Sequence, residues 1–324
     1  MAIFQKVRYT DRNESGIDER LSDRMSGCTL CPRMCGADRE NGKTGFCGET
    51  GEIRAARAAL HMWEEPCISG TKGSGAVFFS GCGLRCCFCQ NHDIAIGSRG
   101  RAVSVERLGE IFLELKEKGA ANINLVTGAH YVPQIIEALD MARRKGLDIP
   151  VVYNSSGYEK TETLKLLEGY VDIYLPDLKY LDPELAQKFS YAPDYVQAAK
   201  AAIGEMVRQT GKCEFGEDGY IRKGTIVRHL ILPGHTGNSI KALRYLHETY
   251  GEDIYISIMN QYTPVRKFVE FKELNRKVTK REYEKVLDAA VDMGIQNGFI
   301  QEGETASESF IPDFDYEGVE KNTP

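Results

Sequence analysis

The stretch SGCGLRCCFCQNHD, residues 80–93, places four of the chain's ten cysteines within eight positions. Three of them, Cys82, Cys86 and Cys89, have the spacing C-x3-C-x2-C. Three thiolates on an iron–sulfur cube satisfy three irons and leave the fourth for a non-protein ligand, whereas a structural zinc or an electron-transfer cube normally takes four protein ligands. An open iron points to chemistry. The bland alternative is a zinc knuckle, with His92 as its fourth ligand, three residues past Cys89. Gly81 and Gly83 flank Cys82 and permit the sharp turns of a loop that brings several thiols to one point. Cys87 adjoins a ligand position, and neighbouring residues do not easily reach one centre, so it reads as a spare, small, buried side chain.

A second block, CTLCPRMCGADRENGKTGFC, spans residues 28–47 and spaces Cys28, Cys31, Cys35 and Cys47 as C-x2-C-x3-C-x11-C. It holds too few apolar residues to fold around a core, so a metal is expected to replace that core and to turn binding energy into folding energy. Zinc and a 4Fe–4S cluster both accept four thiolates, and the unequal first intervals favour iron–sulfur over a zinc ribbon. Cys67, beside Pro66, is a leftover thiol able to substitute as a ligand, and Cys213 in TGKCEFGEDGY has no expected cofactor role.

These loops need a scaffold, and the rest of the chain supplies its pattern. GAVFFS (75–80), NINLV (122–126), IPVVYN (149–154), VDIYLP (171–176), TIVRHLIL (225–232) and DIYISIM (253–259) read as buried strands, with a further strand at IRAARA. Helical faces lie between them at Leu108, Ile111, Phe112 and Leu115, at Val132, Ile135, Ile136 and Leu139, and at Tyr283, Val286, Leu287 and Ala290. Thr279 with Glu282 forms a capping box, and Gly294 closes that last helix. Regular strand–helix alternation means parallel pairing with right-handed crossovers. Six or seven such units fall short of the eight of a closed barrel, so the expected fold is α/β, a partial barrel with its chemistry at the C-terminal strand ends. The first cysteine loop follows GAVFFS directly, at one of those ends.

Composition sets the outer bounds. The 324 residues carry a net charge of −6, which gives no basic footprint for nucleic acid. The start has no apolar leader and no window approaches a membrane span, so the expectation is a cytoplasmic protein in which clustered cysteines serve metals or redox chemistry. Four regions follow: a polar segment over 1–25, a cysteine-rich metal-binding appendage over 26–70, the barrel over 71–300 and an acidic tail over 301–324. A solvated tail is the ordinary outcome, although Phe310, Phe314 and Tyr316 offer anchors across the barrel mouth or an open flank.

With these residues in place, CGLRCCFC resembles the signature of the radical S-adenosylmethionine (SAM) superfamily. The resemblance implies a partial (β/α)6-type radical SAM barrel whose open iron chelates the amino and carboxylate groups of S-adenosylmethionine. One electron then cleaves the sulfonium to methionine and a 5′-deoxyadenosyl radical that abstracts hydrogen. It also places Phe88 beside the adenine. Most of residues 75–265 is similar to the glycyl radical enzyme activases, typified by the pyruvate formate-lyase activating enzyme. By that similarity Asp177 and Lys179 in VDIYLPDLKY match a D-L-K motif, whose lysine approaches the cofactor's carboxylate and whose aspartate helps to hold a monovalent cation. Arg228 in IVRHLILPG matches an arginine on a later strand.

Two departures stand beside the similarity. Thr127, Gly128, Ala129 and His130 replace a G-G-E motif for the cofactor's amino group, which makes Thr127 and His130 the candidate contacts, His130 equally as a helix cap. Asn154, Ser155 and Ser156 replace an aspartate of the cation site, so Asn154 and Ser156 are cofactor candidates and that site is weakened or lost. NLVT…HYVPQI resembles a subgroup of activating-enzyme homologues with no assigned substrate. The activity implied is hydrogen abstraction from a glycine of a partner protein, with a flavodoxin or ferredoxin as electron donor. The rival readings are modification of a small molecule or peptide and a non-catalytic iron–sulfur electron carrier.

Overall fold

The structure, a computed structural model, describes residues 25–301 and 312–321. The polar segment expected over 1–25, Met25 excepted, and Phe310 of the tail lie outside the described residues. Ten strands follow in chain order: β1 (Ile53–His61), β2 (Ser74–Phe79), β3 (Arg101–Val103), β4 (Ile123–Val126), β5 (Val151–Ser155), β6 (Ile173–Pro176), β7 (Glu214–Phe215), β8 (Ile221–Leu230), β9 (Tyr255–Met259) and β10 (Gly298–Ile300). They pair in the order β10-β9-β8-β6-β5-β4-β2-β1-β3, with β7 as a hairpin partner of β8. From β2 to β10 every neighbour along that path is parallel, and β1 and β3 add antiparallel strands at one edge.

The α-helices of eight residues or more among the described residues are α1 (Val105–Glu117), α2 (Val132–Arg144), α3 (Pro183–Ser190), α4 (Tyr195–Thr210), α5 (Thr236–Tyr250) and α6 (Lys280–Asp292). The faces read from periodicity on α1 and α2 are buried throughout, and on α6 Val286 and Ala290 are buried while Tyr283 and Leu287 pack at its margin. The capping box starts α6 as expected. Strand side chains then divide by alternation. Val77, Phe79, Leu125, Tyr153 and Tyr174 pack with α1, α2 and α4, and Val227, Ile256 and Ile258 pack with α5 and α6. Each large apolar side chain so buried stabilises the fold by about 1.5–3 kcal/mol. Their neighbours Phe78, Val126, Asn154, Arg228, Ser257 and Met259 face the other way, into a cavity. Helices on one face and a cavity on the other make an open, partial barrel, as the alternation predicts.

The boundary expected at residue 70 does not divide the structure. β1 lies on its N-terminal side, yet pairs with β2 from Ala55 to His61 and so extends the main sheet. The small side chains Ala55, Ala56, Ala58 and Ala59 let it pack tightly at that edge. The described part of the tail is not simply solvated either. Tyr316 N–H donates to Ala56 O, Ala58 N–H donates to Glu317 O, Phe314 lies edge-on to Phe78, and Val319 is buried in the helix-side core. Its acids meet basic partners, with Asp315 and Glu317 on Arg57. Among the described residues no helix is long and apolar enough to cross a membrane.

Candidate active site

β2 ends at Phe79, and the chain turns at once through Gly81, which adopts a left-handed φ of +88°. A Cβ there would come within 2.4 Å of Glu49 Cγ and 3.0 Å of Cys47 O. Gly81→Ala is therefore expected to cost about 1–3 kcal/mol and to loosen the following loop. Thermal unfolding of the variant beside the native chain checks this.

Beyond that turn Cys82, Cys86 and Cys89 line one wall of a cavity of about 440 Å³, and Cys87 does not. Cys87 is buried behind the wall, its N–H donating to Phe189 O. Burial raises all three cavity thiols, Cys82 to about 11 and Cys89 to about 12, and neighbouring thiols add to the shift at Cys82 and Cys89. Such thiols stay protonated until a cation replaces their protons, as metal ligands do. Leu84 N–H donates to Cys82 Sγ at 3.4 Å, and Cys86 Sγ lies 2.9 Å from Ser190 Oγ. Phe88 is buried between Phe189 and Tyr262 and also lines the cavity.

The same cavity is lined by a buried network of charge. Arg228, on β8, donates from Nε to Asp177 Oδ1 at 2.9 Å, from Nη1 to Glu64 Oε2 at 3.1 Å and from Nη2 to Asn154 Oδ1 at 2.6 Å. Lys179 Nζ donates to Asp177 Oδ2 at 2.5 Å. Both Asp177 oxygens are thus engaged by cations of the chain itself. Burial alone would raise the Asp177 carboxyl, but Lys179 and Arg228 outweigh it and hold it below its ordinary value. Burial works against the charge of Lys179 too, and Asp177 more than restores it. Glu64 Oε1 accepts from Asn124 and Asn154 at 3.0 and 3.1 Å, so two carboxylates, two cations and two amides are linked in one network.

Thr127, Asn154, Ser156, Asp177, Lys179 and Arg228 all line this cavity with the three thiols. Thr127 has φ +57°, an uncommon left-handed conformation for a branched residue, at the end of β4. His130 is a correction to the sequence reading. Its Nε2 is held 2.7 Å from Ser80 O, it lines no part of the cavity, and its side chain makes no cap bond to α2. Burial drives its pKa down to about 3, so it is a neutral core group. His92, the ligand of the zinc-knuckle reading, is exposed and likewise outside the cavity. Gln261 lines the cavity, whereas His229 is buried between Leu178 O and Ser239 Oγ.

Sequence reasoning missed the acids. Glu64 and Glu65, from HMWEEP between β1 and β2, both line the cavity. Glu65 is buried and its Oε2 meets no hydrogen-bond partner among the described residues; burial raises its carboxyl, Arg228 opposes this and Glu64 reinforces it. The available signal was two consecutive acids set between an apolar strand and a proline that starts a helical turn.

The second cysteine block packs against the back of the first loop. Cys82 N–H donates to Cys47 O at 3.2 Å, and Arg33 Nε donates to Gly83 O at 2.8 Å. Cys28, Cys31 and Cys47 are buried and Cys35 is exposed. Among them lies Arg39, fully buried, whose acceptors among the described residues are the carbonyl oxygens of His130, Glu49 and Thr50 and the sulfur of Cys28. Among the described residues no three His, Cys, Asp or Glu side chains converge as the ligands of a single metal ion do.

An uncharacterized protein of Methanocaldococcus jannaschii is 28% identical over 295 residues, covering 89% of this chain and 81% of its own. The pyruvate formate-lyase-activating enzyme of Clostridium pasteurianum is 27% identical over 113 residues, 33% of this chain and 46% of the enzyme. Among solved structures, Streptococcus suis SuiB bound to its precursor peptide SuiA shares 14% identity at a TM-score of 0.46, over 69% of this chain and 47% of SuiB. A domain of the pyruvate-formate lyase-activating enzyme of Bacteroides vulgatus gives 14% and 0.36, over 53% of this chain and 92% of that one. The family model for the Radical SAM superfamily matches residues 76–246, more than half of the chain and the span that runs from the strand before the thiols through β8 and its arginine. The chain therefore belongs to the radical SAM superfamily, whose members are enzymes that use a 4Fe–4S cluster and S-adenosylmethionine.

Proposed function

We propose that Cys82, Cys86 and Cys89 hold the 4Fe–4S cluster, that the residues facing them hold S-adenosylmethionine, and that the enzyme removes a hydrogen atom from a backbone glycine of a partner protein. The observation that carries this reading is the shared cavity, lined by the three thiols and by Lys179, Arg228, Asn154, Ser156 and Thr127. The fit is chemical as well as spatial, because three thiols leave one corner of a cube for a chelating ligand. When bound, the pair supplies a 5′-deoxyadenosyl radical by one-electron cleavage of the sulfonium.

The chain's own part is to bind, orient and exclude water. Lys179 and Arg228, held in place by Asp177 and Glu64, present fixed N–H donors to a carboxylate. Phe88 offers an apolar face to the adenine. Asn154, fixed between Glu64 and Arg228, occupies the place of the activases' aspartate, and Glu64 brings a carboxylate to the same spot from another element. The similarity to an activating enzyme over 113 residues supports the glycine as target.

At the second block we assign a 4Fe–4S cluster to Cys28, Cys31, Cys35 and Cys47. Arg39 supports a centre of negative charge there, since a buried guanidinium surrounded by neutral acceptors is costly without an anion. Anaerobic reconstitution should give about eight irons per chain, and Cys35→Ala with Cys47→Ala about four. Four irons in the unsubstituted protein would assign zinc, or nothing, to this block.

With dithionite the reconstituted protein is expected to form 5′-deoxyadenosine, and with its partner a glycyl doublet in electron spin resonance. Deoxyadenosine without the doublet would redirect the reading to a small molecule or peptide. Clusters without deoxyadenosine would make the protein an electron carrier.

A further inference from the structure

We infer that Arg228 is a built-in replacement for the monovalent cation that the similarity to the activases implies beside Asp177. This chain then grips the carboxylate of S-adenosylmethionine with two side-chain cations and no bound ion. The inference rests on the occupant of the cavity proposed above, and it concerns an ion that the residues present do not fit.

A hard cation is held by several oxygens at once, carboxylates foremost. Here Asn154 stands where the similarity expects a second aspartate, and its Oδ1 accepts from Arg228 Nη2 at 2.6 Å. Asp177 gives Oδ1 to Arg228 Nε at 2.9 Å and Oδ2 to Lys179 Nζ. Glu64 gives Oε2 to Arg228 Nη1 at 3.1 Å and Oε1 to the amides of Asn124 and Asn154. Every side-chain oxygen of Asp177, Glu64 and Asn154 thus meets an N–H of the chain, and each nitrogen of the guanidinium serves a different one of the three. An ion ligated by Asp177 and Asn154 would lie against the guanidinium that already bonds both, at like-charge contact. The backbone beside them is engaged as well: Asp177 O accepts from Tyr195 OH at 2.8 Å and Leu178 O from His229 Nδ1 at 2.6 Å.

Charge gives the same answer. Asp177 and Glu64 balance Lys179 and Arg228, so a further cation would add a buried charge without a counter-charge. The one other acid lining the cavity is Glu65. It offers a single oxygen unpartnered among the described residues, and burial pushes its carboxyl towards the neutral form, a poor ligand. Arg228 uses three of its five N–H groups on Asp177, Glu64 and Asn154. The other two, with those left on Lys179, remain for the cofactor's carboxylate.

The test measures binding of S-adenosylmethionine to the reconstituted full-length protein in potassium, sodium and choline chloride, and thermal unfolding in the same salts. Choline is too large to replace a coordinated alkali ion, and equal ionic strength removes general screening from the comparison. The unsubstituted protein is expected to bind S-adenosylmethionine equally in all three, within about twofold, and to unfold at the same temperature in each. Arg228→Ala combined with Asn154→Asp vacates the place of the guanidinium and sets a second carboxylate beside Asp177. In that double variant potassium or sodium should strengthen binding at least about tenfold over choline and raise the unfolding temperature. Tighter binding or a higher unfolding temperature of the unsubstituted protein in potassium or sodium overturns the inference, whether or not the double variant folds. A double variant that folds and stays indifferent to the salt overturns it too. Failure of the unsubstituted protein to bind S-adenosylmethionine in any of the salts sinks the reading of the cavity instead, while its unfolding temperatures still decide whether an ion is held.

Discussion

Cys89→Ala is expected to abolish deoxyadenosine formation, a loss of at least about a thousandfold, together with about four irons per chain. The thiol lies on the cavity wall with Cys82 and Cys86, and two remaining thiolates do not anchor a cube. The change removes only a sulfur at the edge of an open space, so the fold should survive and far-ultraviolet circular dichroism should stay as it was. Cys87→Ala supplies the control, because that side chain packs outside the cavity. It should keep its iron and its activity and lose about 1 kcal/mol of stability. Equal iron loss in the two variants would refute the ligand assignment.

Arg228→Met is expected to cost about 3–5 kcal/mol, the range for removing one member of a buried ion network. Asp177 and Glu64 would both keep buried carboxylates and lose their shared cation. The pH dependence gives the sign. In the native chain the depressed Asp177 contributes stability that is present above the ordinary carboxylate range and lost as pH falls through its folded value. Without Arg228 the folded state binds protons more tightly than before, so the penalty should be larger at pH 8 than at pH 5. Denaturant unfolding at both values measures it, and a penalty equal at the two would refute the electrostatic account. Adding Glu64→Gln should recover about 1–2 kcal/mol, because one uncompensated charge is removed with it. Binding of S-adenosylmethionine should weaken at least about tenfold in the single variant.

Much of the scaffold was legible along the chain. The runs at GAVFFS, NINLV and VDIYLP became parallel strands because their apolar residues are buried on both faces, and the α1 and α2 stripes became core because helical spacing puts them on one side. The site was partly legible. Asp177, Lys179 and Arg228, expected at the site from motif and strand-end position, line the cavity, but Glu64 was not foreseen there, since nothing local says that the link before β2 folds over the cavity. His130 misled for the complementary reason. A polar residue at the end of β4 invites a ligand role, and only the path of β2 shows that Ser80 O takes its ring instead.

What the amino-acid order settled by itself was the spacing of the two cysteine sets and the parallel α/β class, because both depend on separations of a few residues. What only the tertiary structure decided was which groups share the cavity and how the cysteine blocks meet. Glu64, Asn154, Asp177 and Arg228 come from four separate segments, and Cys47 O meets Cys82 N–H across another long interval. Local periodicity says which face of an element is buried; it does not say what that face will meet.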